Sequence, residues 1–109
     1  MTEQRMQFQF RLPGEMETGV YSNLVSVWHT PIDFTLDFGV VGQVSVDPET
    51  GRPIAPTPIV ARVKLPASQI FNLAKAIADN VRRYEEKYGP ITPPPPDGPL
   101  YPPSGDEEE

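Results

Sequence analysis

Val20-Tyr21-Ser22-Asn23-Leu24-Val25-Ser26-Val27-Trp28-His29-Thr30-Pro31-Ile32-Asp33-Phe34-Thr35-Leu36-Asp37-Phe38-Gly39 is the stretch that decides the fold. Its first ten residues are rich in β-branched and aromatic side chains, which suit a pleated strand. Apolar groups fall on both faces, with Tyr21, Val25 and Val27 on one and Leu24 and Trp28 on the other. Two apolar faces predict a central strand, or a strand whose outer face a partner covers. Thr30-Pro31 breaks the run. Ile32, Phe34, Leu36 and Phe38 then alternate with Asp33, Thr35 and Asp37, the period of a half-buried strand. A tight hairpin through Thr30-Pro31 is the simplest connection.

Upstream, Met6, Phe8, Phe10 and Leu12 alternate with Gln7, Gln9 and Arg11 until Pro13-Gly14, which predicts a further strand. Downstream, Gly39 and Gly42 interrupt Val40, Val41, Val44 and Val46, as where a strand continues past a bulge. Asp47-Pro48-Glu49-Thr50-Gly51 carries turn chemistry: Pro presets φ and Gly supplies the left-handed closing residue. Pro53, Pro56 and Pro58 make 51–58 an irregular loop or sheet edge, and Ile59 to Leu65 alternates as the last strand. Pro66 fits a first helical turn. Ile70, Leu73, Ala74, Ile77, Val81, Tyr84 and Tyr88 then recur at helical spacing until Gly89-Pro90. The expected fold is α+β: an antiparallel sheet of four to five strands, one long helix over 66–88, then a disordered tail.

The tail is a matter of composition. Residues 90–109 hold eight of the chain's 15 Pro, five acidic residues and no Lys or Arg. Such a segment cannot bury enough surface to offset its ordering entropy. The chain of 109 residues therefore divides into an oligomerising α+β domain, 1–89, and a disordered Pro-rich acidic tail, 90–109. The net charge is -6, but the domain holds ten acidic and nine basic residues, so its acidity belongs mainly to the tail. No basic patch is visible, and no nucleic-acid partner is expected. With no Cys, thiolate sites and disulfides are excluded, and a single His excludes any site that needs two imidazoles from one chain. No apolar run is long enough to span a membrane and no signal peptide opens the chain, so a cytoplasmic protein is expected.

Two blocks carry a resemblance. The first is Tyr21-Ser22-Asn23 with His29-Thr30-Pro31, Asp33-Phe34 and Leu36-Asp37-Phe38-Gly39. The second is Ala61-Arg62-Val63-Lys64-Leu65-Pro66 with Asn72-Leu73, Asn80, Tyr84-Glu85 and Tyr88-Gly89. Over roughly residues 18–91 the chain resembles a widespread prokaryotic family of small proteins of unassigned function. That resemblance implies no reaction, ligand or catalytic residue. In element order alone, strands followed by a long helix, the chain is also similar to SecB-type export chaperones, which pair their sheets and bind unfolded chains.

Chemistry is sparse. His29, Asp33 and Asp37 could form a metal site only with a bend or a second chain, because the two carboxylates lie about 13 Å apart along one strand. Ser22, Ser26 and Ser68 have no partner pattern, and no nucleophile-elbow or phosphate-loop motif occurs. No catalytic residue, metal site or cofactor is expected. Trp28 reads as a core or interface aromatic, or as an exposed anchor for a partner. Tyr101, within Pro99-Leu100-Tyr101-Pro102-Pro103, reads as solubilising tail or as a docking motif. The candidate partner-binding residues are Tyr21, Asn23, Trp28, His29 and Tyr101. The expected function is a non-enzymatic protein-interaction module, chaperone-like or an assembly scaffold, working as a homodimer or higher oligomer with an unknown protein partner. The alternative is a small-molecule- or metal-binding regulatory domain.

Overall fold

Thr30 closes the expected hairpin. In the computed structural model, which describes residues 5–93, strand β1 (Leu24–His29) runs antiparallel to β2 (Asp33–Gly39), with His29 opposite Phe34 and Leu24 opposite Gly39. The Thr30 hydroxyl donates to Asp33 Oδ1 at 2.7 Å and accepts from the N–H groups of Ile32 and Asp33. One side chain thereby satisfies the turn's backbone donors, the usual reason Thr and Asp occupy such corners.

Past Gly39 the register shifts, and Gly39 faces Ile59 across a bulge. The chain continues beside the return leg without forming a regular strand: Val40 N–H donates to Pro58 O and Gly42 N–H to Pro56 O. A two-residue ladder follows, β3 (Ser45–Val46) with β4 (Pro53–Ile54). Its turn is closed by Gly51 at φ 71°, with Gly51 N–H donating to Asp47 O and Thr50 Oγ1 to Asp47 Oδ2. Strand β5 (Ile59–Pro66) then pairs antiparallel with the free side of β2, giving the order β1-β2-β5.

The architecture is the expected α+β one, with five strands divided between a three-stranded and a two-stranded sheet. One of the two alternatives for β1 falls, and the first predicted strand needs correction. The central strand is β2, and β1, with its two apolar faces, lies at an edge, which leaves the alternative of an outer face covered by a partner. The alternating segment Met6–Leu12 forms no strand. Its apolar side chains are exposed, Phe10 to 95%. A strand needs a ladder, and among the described residues no strand pairs with the segment. A single 3-10 turn, Gly14–Met16, follows it.

The helix starts later than the sequence spacing implies. Pro66 ends β5, Ala67–Gln69 make a 3-10 turn, and helix α1 spans Ile70–Tyr88. Gly89 at φ 97° ends it, with its N–H on Glu85 O at 2.9 Å. Ile91 then turns back, its N–H donating to Glu85 Oε2. From residue 94 the expected tail lies outside the described residues, and so does Tyr101.

Burial is slight. Among the described residues Leu36, at 9% exposure, is the one buried large hydrophobic side chain, while Thr35 and Asp37 are buried polar ones. The apolar face of α1 stays open, with Ile77 at 54%.

The close approach at Gly42 is testable. A Cβ there would lie 2.6 Å from the backbone oxygen of Pro56, whereas one at Gly14 would meet nothing within 4 Å. Gly42→Ala is expected to destabilise by about 1–3 kcal/mol, and Gly14→Ala to stay within about 0.5 kcal/mol of the parent, as read from urea midpoints.

Candidate interaction surface

Alternation gives the three-stranded sheet two unlike faces. On one, the register stacks Trp28, Thr35 and Lys64 in a row across the strands, next to a row of Ser26, Asp37 and Arg62. Asp37 joins the three strands. Arg62 grips its carboxylate with two bonds, Nε to Oδ1 at 2.6 Å and Nη2 to Oδ2 at 2.9 Å, and Trp28 Nε1 donates to Oδ2 at 3.2 Å. Lys64 Nζ donates to Thr35 Oγ1 at 3.2 Å. The Arg62 and Lys64 cations lie 5.6 and 5.3 Å from the Trp28 ring centroid, within cation–π range. Trp28, Arg62 and Lys64 thus roof over Thr35 and Asp37. Among the described residues no buried side-chain polar atom is left without a partner.

The Asp33/Asp37 side of β2 reads in sequence as a solvated face, and for Asp37 that reading is corrected: it is 6% exposed. The hydrogen bond from Arg62 holds its carboxyl below the usual carboxylate value, outweighing the burial that pushes it up. Asp79, on α1, is lowered in the same direction by Lys75, bonded at 2.9 Å.

The other face is apolar. Val25 and Val27 of β1 and Leu36 and Phe38 of β2 look toward Ile70, Leu73 and Ile77 of α1. Helix and sheet do not close on each other there. An apolar cleft of about 290 Å³ separates them. At Ile77 the cleft meets a second, shallower groove of about 390 Å³ along the helix, walled by Val81, Tyr84 and Ile91. The Tyr84 and Tyr88 rings meet in a tilted contact, centroids 4.9 Å apart, where the helix ends. The result is one apolar strip from the sheet face to the C-terminal end of α1, open along its length.

The candidate residues do not converge. Trp28 belongs to the roof over Asp37. His29 lies on the apolar face, its ring 5.5 Å from Phe34. Asn23 is a latch: its N–H donates to Gly39 O and its Oδ1 accepts from Val41 N–H. Tyr21 is exposed in the segment before β1. Asp33 and Asp37 share a face that His29 does not, and among the described residues no three His, Cys, Asp or Glu side chains form a metal-binding group. Arg62, Lys64 and Ile91 are not among the candidate partner-binding residues, and Arg62 and Lys64 enter the sequence reading only within the second resembling block. The alternation of Ile59–Leu65 had placed both cations on one strand face, and only the β2–β5 register brings them to Asp37 and Thr35.

These features define an α+β module with a sealed polar sheet face and an open apolar one. The chain belongs to the family described as Protein of unknown function (DUF3467), which it matches over residues 1–93. The match extends beyond the resembling region to include the N-terminal segment. No curated protein and no solved structure matches the chain, so the likeness in element order to SecB-type chaperones gains no support. No helix among the described residues is long and apolar enough to cross a membrane.

Because Arg62 holds the Asp37 carboxyl below its usual range, this ion pair makes stability depend on pH. A carboxylate depressed in the folded state contributes stability above its unfolded value, near 3.8, and loses it as pH falls through the lower folded value. Asp37→Asn is expected to cost about 1 kcal/mol at neutral pH, the low end for charge-assisted bonds because Arg62 remains half-exposed. It should also flatten the loss of stability below about pH 4 without abolishing it, since Asp79 contributes with the same sign. Urea midpoints from pH 2 to 7 check both. A variant with the parent's profile would contradict the assigned role.

Proposed function

We propose that this protein is a non-enzymatic protein-interaction module of the cytoplasm that works as a homodimer or higher homo-oligomer, in a chaperone-like or scaffolding role. One observation carries the reading: Leu36 is the single buried large hydrophobic residue among those described, while Val27, Ile77, Val81, Tyr84 and Tyr88 stay open along one strip. A small domain holds only a slim margin of stability, and one buried aliphatic side chain does not supply it. Covering the strip with protein does. The near-neutral charge of residues 1–89 lets two copies meet without strong repulsion.

A small-molecule- or metal-binding regulatory role has less behind it. The cleft is walled by apolar side chains and offers no converging polar group to orient a ligand. His29 and the two aspartates face opposite sides of the sheet.

Sedimentation equilibrium at micromolar concentration tests the proposal. The expected mass is at least twice the 12.1 kDa of one chain. Ile77→Asp, which places a carboxylate in the strip, should shift the population toward monomer, and Glu86→Ala on the charged side should not. A single 12.1 kDa species for the parent would refute the oligomer. Suppression of light scattering by a diluted, denatured test protein would then favour the chaperone-like role, and no suppression the scaffold.

A further inference from the structure

We infer that the N-terminal arm, residues 6–12, is a strand donated to a second copy of this chain, where it pairs with the open edge of β1 and seats Phe8 and Phe10 over the apolar cleft. The inference rests on the oligomer proposed above and specifies its contact.

The arm has the pattern of a strand and lacks only a ladder. Met6, Phe8, Phe10 and Leu12 are exposed on one side of the alternation, with Gln7, Gln9 and Arg11 between them. Four large apolar side chains in a row are a poor solvent surface and a good strand face. The family match begins at residue 1, so the arm belongs to the family's domain.

The sheet offers two edges, and β1 is the one that fits. Strand β5 carries Arg62 and Lys64 and ends in Pro66, residues that discourage edge pairing. Strand β1, Leu-Val-Ser-Val-Trp-His, has no Lys, Arg or Pro. Its Val25 and Val27 form the outer wall of the cleft between sheet and helix. A strand laid beside β1 with its apolar side in register extends that wall with Phe8 and Phe10. Its glutamines then extend the polar face beside Ser26 and Trp28.

The occupant is a second copy. Among the described residues the outer edge of β1 carries no ladder, and the arm's Met6, Phe8, Phe10 and Leu12 are exposed and make none with it. The area also suits a dimer. Each buried Phe covers roughly 150–250 Å². Two arms exchanged reciprocally, each with the surface it covers, remove roughly 1,600 Å², the size of a standard stable interface. Reciprocal exchange also closes the assembly, since each copy gives one arm and receives one.

The chain has no Cys, so introduced thiols report without background. Gln9→Cys and Ser26→Cys, at the middle of arm and edge, are placed in separate copies, one tagged, then mixed and treated with a short bis-maleimide. The expected result is a tagged–untagged link, reduced by roughly tenfold or more when Phe8 and Phe10 are both replaced by Ser. A link formed within one chain carrying both cysteines, with none between copies, would overturn the inference, as would no link at all. Sedimentation of the same variants separates the two claims. A dimer without the link leaves the oligomer standing and removes the arm, whereas a monomer removes both.

Discussion

Asp37 sits on the middle strand and takes a hydrogen bond from each neighbour, Trp28 on β1 and Arg62 on β5. A buried carboxylate is tolerated only with such partners, because the cost of leaving it unpaired exceeds what a small domain can offset. Once Arg62 and Trp28 are committed to Asp37, their side chains lie across the sheet and cover Thr35. That face is then complete, and it needs no further element. Everything apolar that remains must be buried on the other side.

The other side cannot finish the task within one chain. Helix α1 arrives from the end of β5 through a 3-10 turn and stands off from β1 and β2, leaving a cleft lined by Val25, Val27, Ile70 and Ile77. Farther along, Val81, Tyr84 and Ile91 wall a groove to which, among the described residues, no strand contributes. A helix longer than its sheet is wide has this consequence whatever its sequence. The same geometry is what supports the proposed reading as an interaction module. A satisfied polar face and an unfinished apolar one direct any partner to one side of the molecule, and the arm carries the side chains that suit it.

Much of the fold was legible in the residues. Alternation located β2 and β5, Thr30-Pro31 the hairpin, Asp47–Gly51 the turn, and Gly89 the end of the helix, because each depends on local chemistry. Three features were not legible, and each depends on pairing. Two apolar faces on β1 fit either a central strand or one covered by a partner, and the residues do not choose, because a strand's rank in a sheet depends on which neighbours reach it. Met6–Leu12 has a strand's pattern without a strand's ladder. Asp37 looked solvated because alternation shows which face a residue takes and not what lies across that face. The roof over Asp37 follows from the β2–β5 register, which sets Arg62 beside it and which no single segment contains. Of the candidate residues, Trp28 and His29 are adjacent on β1 and period two sends them to opposite faces, while Tyr21 and Asn23 precede the strand.

On the proposed reading one chain leaves its apolar core unfinished and a second copy completes it. Thermal unfolding at several protein concentrations separates this from a self-sufficient monomer, since only an associating protein gains stability from its own concentration. A midpoint that rises by about 5–10 °C over a hundredfold range of protein concentration is expected. A midpoint that stays constant across that range would contradict it.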